Sequence, residues 1–295
     1  MASLKEVRNR IVSVNSTKQI TAAMKMVSAA KLRRAQDAII RMRPYAEKLG
    51  EVLGNVSASL DASENKYAQE REGKNVLFVA IVSNRGLAGA FNTQVFRLVT
   101  KATKAAEARG EKVQVLSVGK KAADYYRRSR WHAEGLPTDL ARLFDQLTFD
   151  NVAPVAEAIM AQYAAGAYDR VVLFYNKFKN AATQIVTEEQ FLPIVRTASA
   201  EADAAASAKA DHIMEPDRQT IVEEIIPKSL KIQFYKALLD SFAAEHGARM
   251  TAMHKATDNA DELLKELRLT YNKARQAAIT GEILEIVGGA EALKG

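Results

Sequence analysis

The chain has no cysteine. Disulfides, thiolate metal centres and dithiol switching are therefore excluded, and a reducing compartment suits the composition. Histidine is scarce. His132, His212, His246 and His254 form no H-E-x-x-H or other metal spacing. His246 and His254 lie too far apart along one helical pattern to share a small ion, so both read as seam or surface residues. Proline occurs only 6 times and glycine 14 times in 295 residues, which leaves long stretches without a breaker. No apolar run of about 18 residues exists, so no membrane-spanning helix is expected. Met1–Glu6 lacks the apolar core of a secretory signal, and no serine sits in a nucleophile-elbow context from which a Ser-His-Asp triad could be built.

What is present is helix and charge. With 48% hydrophobic and 26% charged residues the chain is a folded protein with room for about two domains. Its net charge of +7 is unevenly placed: residues 1–48 carry 11 Lys/Arg against Glu6, Asp37 and Glu47, a local +8. A basic helix of this kind serves nucleic acid, anionic lipid or an acidic protein partner, and the plain alternative is a solvated face.

Two long helical patterns stand at the ends. Residues 3–57 place Leu4, Val7, Ile11 and Val14 at helical spacing, then shift to Ile20, Met24 and Val27, and later to Ile39, Met42 and Leu49. The shift resembles a coiled-coil stutter, and Pro44 is expected to kink or interrupt the helix. From about Asp217, a plausible N-cap, to Gly288 a seven-residue repeat runs through Tyr235, Leu239, Phe242, His246, Met250, Met253, Thr257, Ala260, Leu264, Leu267, Tyr271, Ala274 and Ala278. About 70 residues at roughly 1.5 Å each would make a rod on the order of 100 Å. The two helices most simply pair as an antiparallel coiled coil, with Met24 level with Arg249 and Met1 reaching no further than about residue 272. Beyond it, Ala277, Ala278, Ile279, Ile283, Leu284, Ile286, Val287, Ala290, Ala292 and Leu293 cover almost every face. A helix apolar all round must be buried, so other chains are expected to sheathe this tip.

Between the helices lies an alternating pattern. Asp61–Lys74 reads as a linker. Val76–Ser83 is a strand apolar on both faces, and a helix over Ala90–Arg109 follows. Val113–Val118, Trp131–Leu136, Val171–Tyr175 and Thr183–Glu188 read as further strands. Gly119–Arg128, Ala141–Leu147 and Pro154–Ala165 read as helices. The alternation implies a mostly parallel sheet. The fold class expected is α/β: a long antiparallel two-helix coiled coil from the N- and C-termini, with an inserted Rossmann-like α/β domain. The divisions are 1–58, 75–195 and 212–295. The Ala-rich stretch Thr197–Asp211 reads as a linker without an assigned role.

The turn after the first strand, Ser83–Asn92, holds Gly86 and Gly89 where a phosphate could rest on a helix N-terminus. The full G-x-G-x-x-G is missing, so a tight strand-to-helix turn is the default; Gly119-Lys120-Lys121 lacks the remainder of a P-loop.

Several motifs together identify a resemblance. Ile20–Gln36 (ITAAMKMVSAAKLRRAQ), Ala256–Ala260 (ATDNA), Tyr271–Thr280 (YNKARQAAIT), Glu285–Ala290 (EIVGGA), Asn84–Gly89 (NRGLAG) and Glu215–Asp217 (EPD) resemble the gamma subunit of F-type ATP synthase, from end to end. The resemblance implies a central rotor stalk standing in a hexamer of alpha and beta subunits, its foot on the c ring beside epsilon. One copy per complex would carry torque from proton flow to the beta catalytic sites. No catalysis, cofactor, metal or nucleic acid is implied. By position, Met24 and Arg249 resemble mid-shaft residues facing the acidic lever of beta. Arg275, Gln276, Thr280 and Glu282 resemble the upper-shaft contacts, and Glu215 resembles a foot position near the c ring. Ala88 and Ala90 replace the family's frequent Cys and Gly, and the chloroplast dithiol insertion is missing. The absence of a transit peptide before Met1 favours a bacterial chain, peripheral on the cytoplasmic face of the inner membrane. A basic coiled-coil nucleic-acid binder and a small enzyme built on the Gly86–Gly89 turn are the alternatives.

Overall fold

The computed structural model describes residues 3–57, 66–69, 71, 73–194 and 218–292, with side chains at 47, 50–57 and 218–223 left aside. Half of Asp61–Lys74, all of Thr197–Asp211, and Glu215, Asp217 and Leu293 lie outside the described residues. The elements are α1 (Leu4–Ser57), β1 (Asn75–Ile81), α2 (Phe91–Ala108), β2 (Lys112–Val118), α3 (Lys120–Tyr126), a 3₁₀ turn (Leu140–Phe144), α4 (Phe149–Ala164), β3 (Arg170–Phe178), β4 (Gln184–Leu192) and α5 (Arg218–Ala292). They divide into two compact units, Met1–Ser28 with Met250–Gly295, and Ala29–Arg249.

In the first unit α1 and α5 pair antiparallel. Arg8 Nη2 donates to the Tyr271 hydroxyl at 2.9 Å, Lys18 is paired with Asp261, and the Thr21 and Thr257 hydroxyls meet at 2.8 Å. As α1 advances its partners retreat along α5, as an antiparallel seam requires. Val7, Met253, Ala260, Leu264 and Leu267 are buried, while the polar contacts fix the register. Three residues on from Thr21, Met24 is level with His254–Lys255. That is about one and a half turns further along α5 than the level of Arg249 expected from the sequence. The heptad pattern set which faces meet, but it left sliding by whole turns nearly free; the Thr21–Thr257 and Lys18–Asp261 contacts remove that freedom.

The second unit holds a four-stranded sheet of order β2-β1-β3-β4. β1 pairs parallel with β2 and β3, and β4 runs antiparallel to β3. Continuous apolarity in β1 is used on both faces. Val76, Phe78 and Ala80 pack with Val95 and Val99 of α2, whereas Leu77, Val79 and Ile81 pack with Ile159 of α4 and Phe234 and Leu238 of α5. The foot of the long helix therefore serves as one of the sheet's covering layers. Gly247, the lone glycine in the middle of α5, marks a close approach: a Cβ there would lie 3.2 Å from Ala181 Cα in the β3–β4 hairpin.

Several local expectations change. Trp131–Leu136 is not a strand; it makes a single parallel bridge, His132 to Val115, and then turns away. The helix expected over Ala141–Leu147 is the short 3₁₀ turn Leu140–Phe144. α4 starts at Phe149, before Pro154, because Thr148 caps it by accepting from the Asn151 amide. Pro44 interrupts nothing: α1 runs through it, and α5 likewise runs through Pro227, each losing one ladder donor. β4 extends to Leu192, whose end, with Phe191, is buried.

Candidate functional site

In the first unit, α1 begins at Leu4, which this register sets level with about Arg275. Beyond that level α5 has no partner from α1. Arg275, Gln276, Thr280 and Glu282 are all exposed. Among them stand Ile279, Ile283, Leu284, Ile286 and Val287, with Ile286 71% exposed. Burying such side chains is worth about 1.5–3 kcal/mol each, so a bare helix end rich in them is built for enclosure. Met24 is half-buried, and Ile20, Met26 and Val27 around it are exposed. The apolar surface of this unit thus continues down α1.

Arg249 has a different setting, in the second unit, where it is only 6% exposed. Its Nη1 donates to Glu245 Oε1 at 2.7 Å, one turn back on α5, and approaches His246 Nδ1 at 3.4 Å. Its Nη2 donates to the backbone carbonyls of Arg85 at 3.0 Å and Gly86 at 3.3 Å. Burial raises the Glu245 pKa, and Arg249 beside it opposes the shift. Burial, then Arg249 and Lys31, lower the His246 pKa to about 3, so the ring is neutral at physiological pH. An arginine only donates, so Nδ1 is the acceptor and the ring proton sits on Nε2, which has no partner among the described residues.

The glycine turn at the end of β1 is tied to the protein on every side. Ser83 Oγ donates to the Arg85 carbonyl at 2.6 Å, and Asn92 Oδ1 accepts from the Ser83 amide at 3.0 Å. Asn84 accepts from the Lys120 amide at 2.9 Å and donates to the Ala141 carbonyl at 2.8 Å. Ala88 and Phe91 are buried against Ala244. The polar groups of the turn are thus bonded within the chain, while a Cβ at Gly86 or Gly89 would meet open space. Among the described residues no group of His, Asp and Glu is placed to hold a metal ion. Glu215 lies outside the described residues.

Sequence reasoning missed Glu245 as the partner of Arg249 and the burial of both. The spacing of four between them was visible, but nothing in the sequence said that this face of the helix meets the turn at Arg85.

Comparison with known proteins decides what this arrangement belongs to. A family model described as ATP synthase matches residues 3–293. The ATP synthase gamma chain of Flavobacterium psychrophilum is 58% identical over the full length of both chains, and that of Flavobacterium johnsoniae is 57% identical over the full length of both. The chain belongs to the ATP synthase gamma chain family. Among solved structures, the central stalk and c-ring structure of Tetrahymena thermophila mitochondrial ATP synthase contains a chain 25% identical, with a TM-score of 0.56 over 80% of this chain and 99% of that one. A chain in the Euglena gracilis mitochondrial ATP synthase, 23% identical, superposes with a TM-score of 0.67 over 98% of this chain and 94% of that one, which shows the fold. As a gamma chain the protein is a stalk subunit of ATP synthase, in the F1 portion of the complex. Among the described residues no helix is long and apolar enough to cross a membrane. The nucleic-acid alternative gains no support from these comparisons.

Proposed function

We propose that the chain is the rotor stalk through which torque passes between a proton-driven c ring and the catalytic beta subunits. The observation that carries this reading is α5 outrunning its partner helix, its tip bare and apolar, in a gamma-family chain. The partners are the alpha and beta subunits around the tip, with epsilon and the c ring at the foot, and one copy serves each complex. The stalk is non-catalytic, as the family resemblance implies, and chemistry is left to beta. Its place is peripheral, on the cytoplasmic face of a bacterial inner membrane. Functionally it divides into 1–58, 75–195 and 212–295.

Met24, Arg275, Gln276, Thr280 and Glu282 are the rotor–stator contacts, supported by the family motifs around them and by their position among the described residues, where Met24 is half-buried and the other four are exposed. Arg249 lies outside the quoted motifs and is buried, so its part is indirect; Glu215 stands near the c ring by resemblance alone. The +8 of residues 1–48 suits acidic stator segments, because weak exposed charge pairs attract at long range and release readily. Purification from membranes with mass identification of partners tests the reading. Recovery with alpha, beta and epsilon subunits is expected, and recovery without alpha and beta subunits would overturn it.

A further inference from the structure

The turn Arg85–Gly89 carries a conformation that must be held. Leu87 has φ of 62°, in the left-handed region, and is 67% exposed; Gly89 has φ of 59°. A leucine is not placed there by its own preference. The Arg85 carbonyl accepts twice, from Ser83 Oγ and from Arg249 Nη2, while the next carbonyl, Gly86, accepts from the same Nη2. The guanidinium is in turn fixed by Glu245, itself buried. Two consecutive backbone carbonyls are thus gripped by one side chain of α5, and the grip is aimed by a second side chain one turn away.

We propose that Arg249 is a positioning residue, with Glu245 as its anchor. The pair clamps the Arg85–Leu87 turn to α5, and Arg249 contributes to torque transmission through that turn, without touching a stator subunit. The inference rests on the rotor reading for its functional half; the clamp itself is geometric. A planar fork is required. One nitrogen faces the carboxylate while the other faces the carbonyls, a division of labour that a lysine ammonium on a single carbon cannot reproduce. Ala88 packs on Ala244 of α5, and the Arg249–Glu245 pair adds the turn's polar tie to the shaft helix, so that the turn moves with the shaft under load.

The test uses the whole ATP synthase complex carrying R249K, R249Q or E245Q, with two readouts. One is hydrogen exchange at the Ser83 and Phe91 amides, whose bonds close the turn. The other is protons pumped per ATP hydrolysed. R249K and R249Q are both expected to speed exchange at these amides at least tenfold and to lower pumping per ATP, and E245Q to produce a smaller change of the same kind. R249K retaining wild-type exchange and pumping would overturn the proposal, since charge alone would then suffice. Loss of pumping with the turn still protected would also overturn it, because Arg249 would then act by direct contact. Should R249Q fail to assemble, E245Q and R249K carry the decision. A chain that never assembles with ATP synthase subunits refutes the rotor reading instead, while exchange in the free chain still reads the clamp.

Discussion

Two buried titratable residues on α5 pull stability in opposite directions with pH. The His246 pKa falls from 6.5 to about 3 because burial, then Arg249 and Lys31, disfavour its charged form. The folded state therefore binds fewer protons. Its contribution is whole above about pH 6.5 and is lost as pH falls toward 3, at up to about 1.4 kcal/mol per pH unit. Asp240 rises from 3.8 to about 6, chiefly through burial, against the pull of Lys236, Lys177 and Arg43 and with a smaller push from Glu189. Its folded state holds a proton more readily, so its contribution declines as pH rises from about 4 to 6. Denaturation midpoints across pH 4–6 should therefore fall less steeply with acid in H246N than in the parent, and more steeply in D240N. Parallel curves for all three would refute both assignments. Gly119 is a second residue-scale test. Its φ is 100°, and a Cβ there would lie 2.2 Å from the Val82 carbonyl oxygen. G119A should cost about 2 kcal/mol or more in thermal or chemical melts, and an unchanged melt would contradict that close approach.

At the scale of elements, α5 does two jobs. In one unit it buries a seam against α1; in the other, it covers one face of the sheet through Ile226, Leu230, Phe234 and Leu238. Because the seam already has Val7, Met253 and Leu264, half-buried Met24 is not essential to holding the helices together. M24K should leave thermal stability within about 0.5 kcal/mol while impairing coupling. A new ion pair with an acidic stator segment worth about 1 kcal/mol would slow a rotation-limited step about fivefold. ATP-driven proton pumping in membrane vesicles measures this, and wild-type efficiency would refute it.

For the whole molecule the question is where load is shared. The exposed apolar residues from Ile279 to Val287, and the exposed polar residues from Arg275 to Glu282, spread over several turns of α5. Deleting Leu293–Gly295 should therefore leave most ATP-driven torque, and deleting from Gln276 onward should remove much more of it. Single-molecule rotation of the assembled complex distinguishes the two, and equal losses would show that one terminal contact carries everything.

The sequence by itself determined the elements and their faces: a heptad stripe must face a partner, a strand apolar on both sides must be covered on both, and a tip apolar all round needs an external sheath. The family motifs likewise lay in the sequence, since Ile20–Gln36 and Tyr271–Thr280 are long runs of specific residues. Register was decided only by tertiary structure, because periodicity repeats every turn and cannot distinguish one level from the next; the Thr21–Thr257 contact does. Pro44 was misleading: α1 runs through it despite one missing ladder donor. Arg249 is the clearest case. The resemblance implied a mid-shaft contact facing beta, and only the fold brings the Arg85 and Gly86 carbonyls to the buried guanidinium.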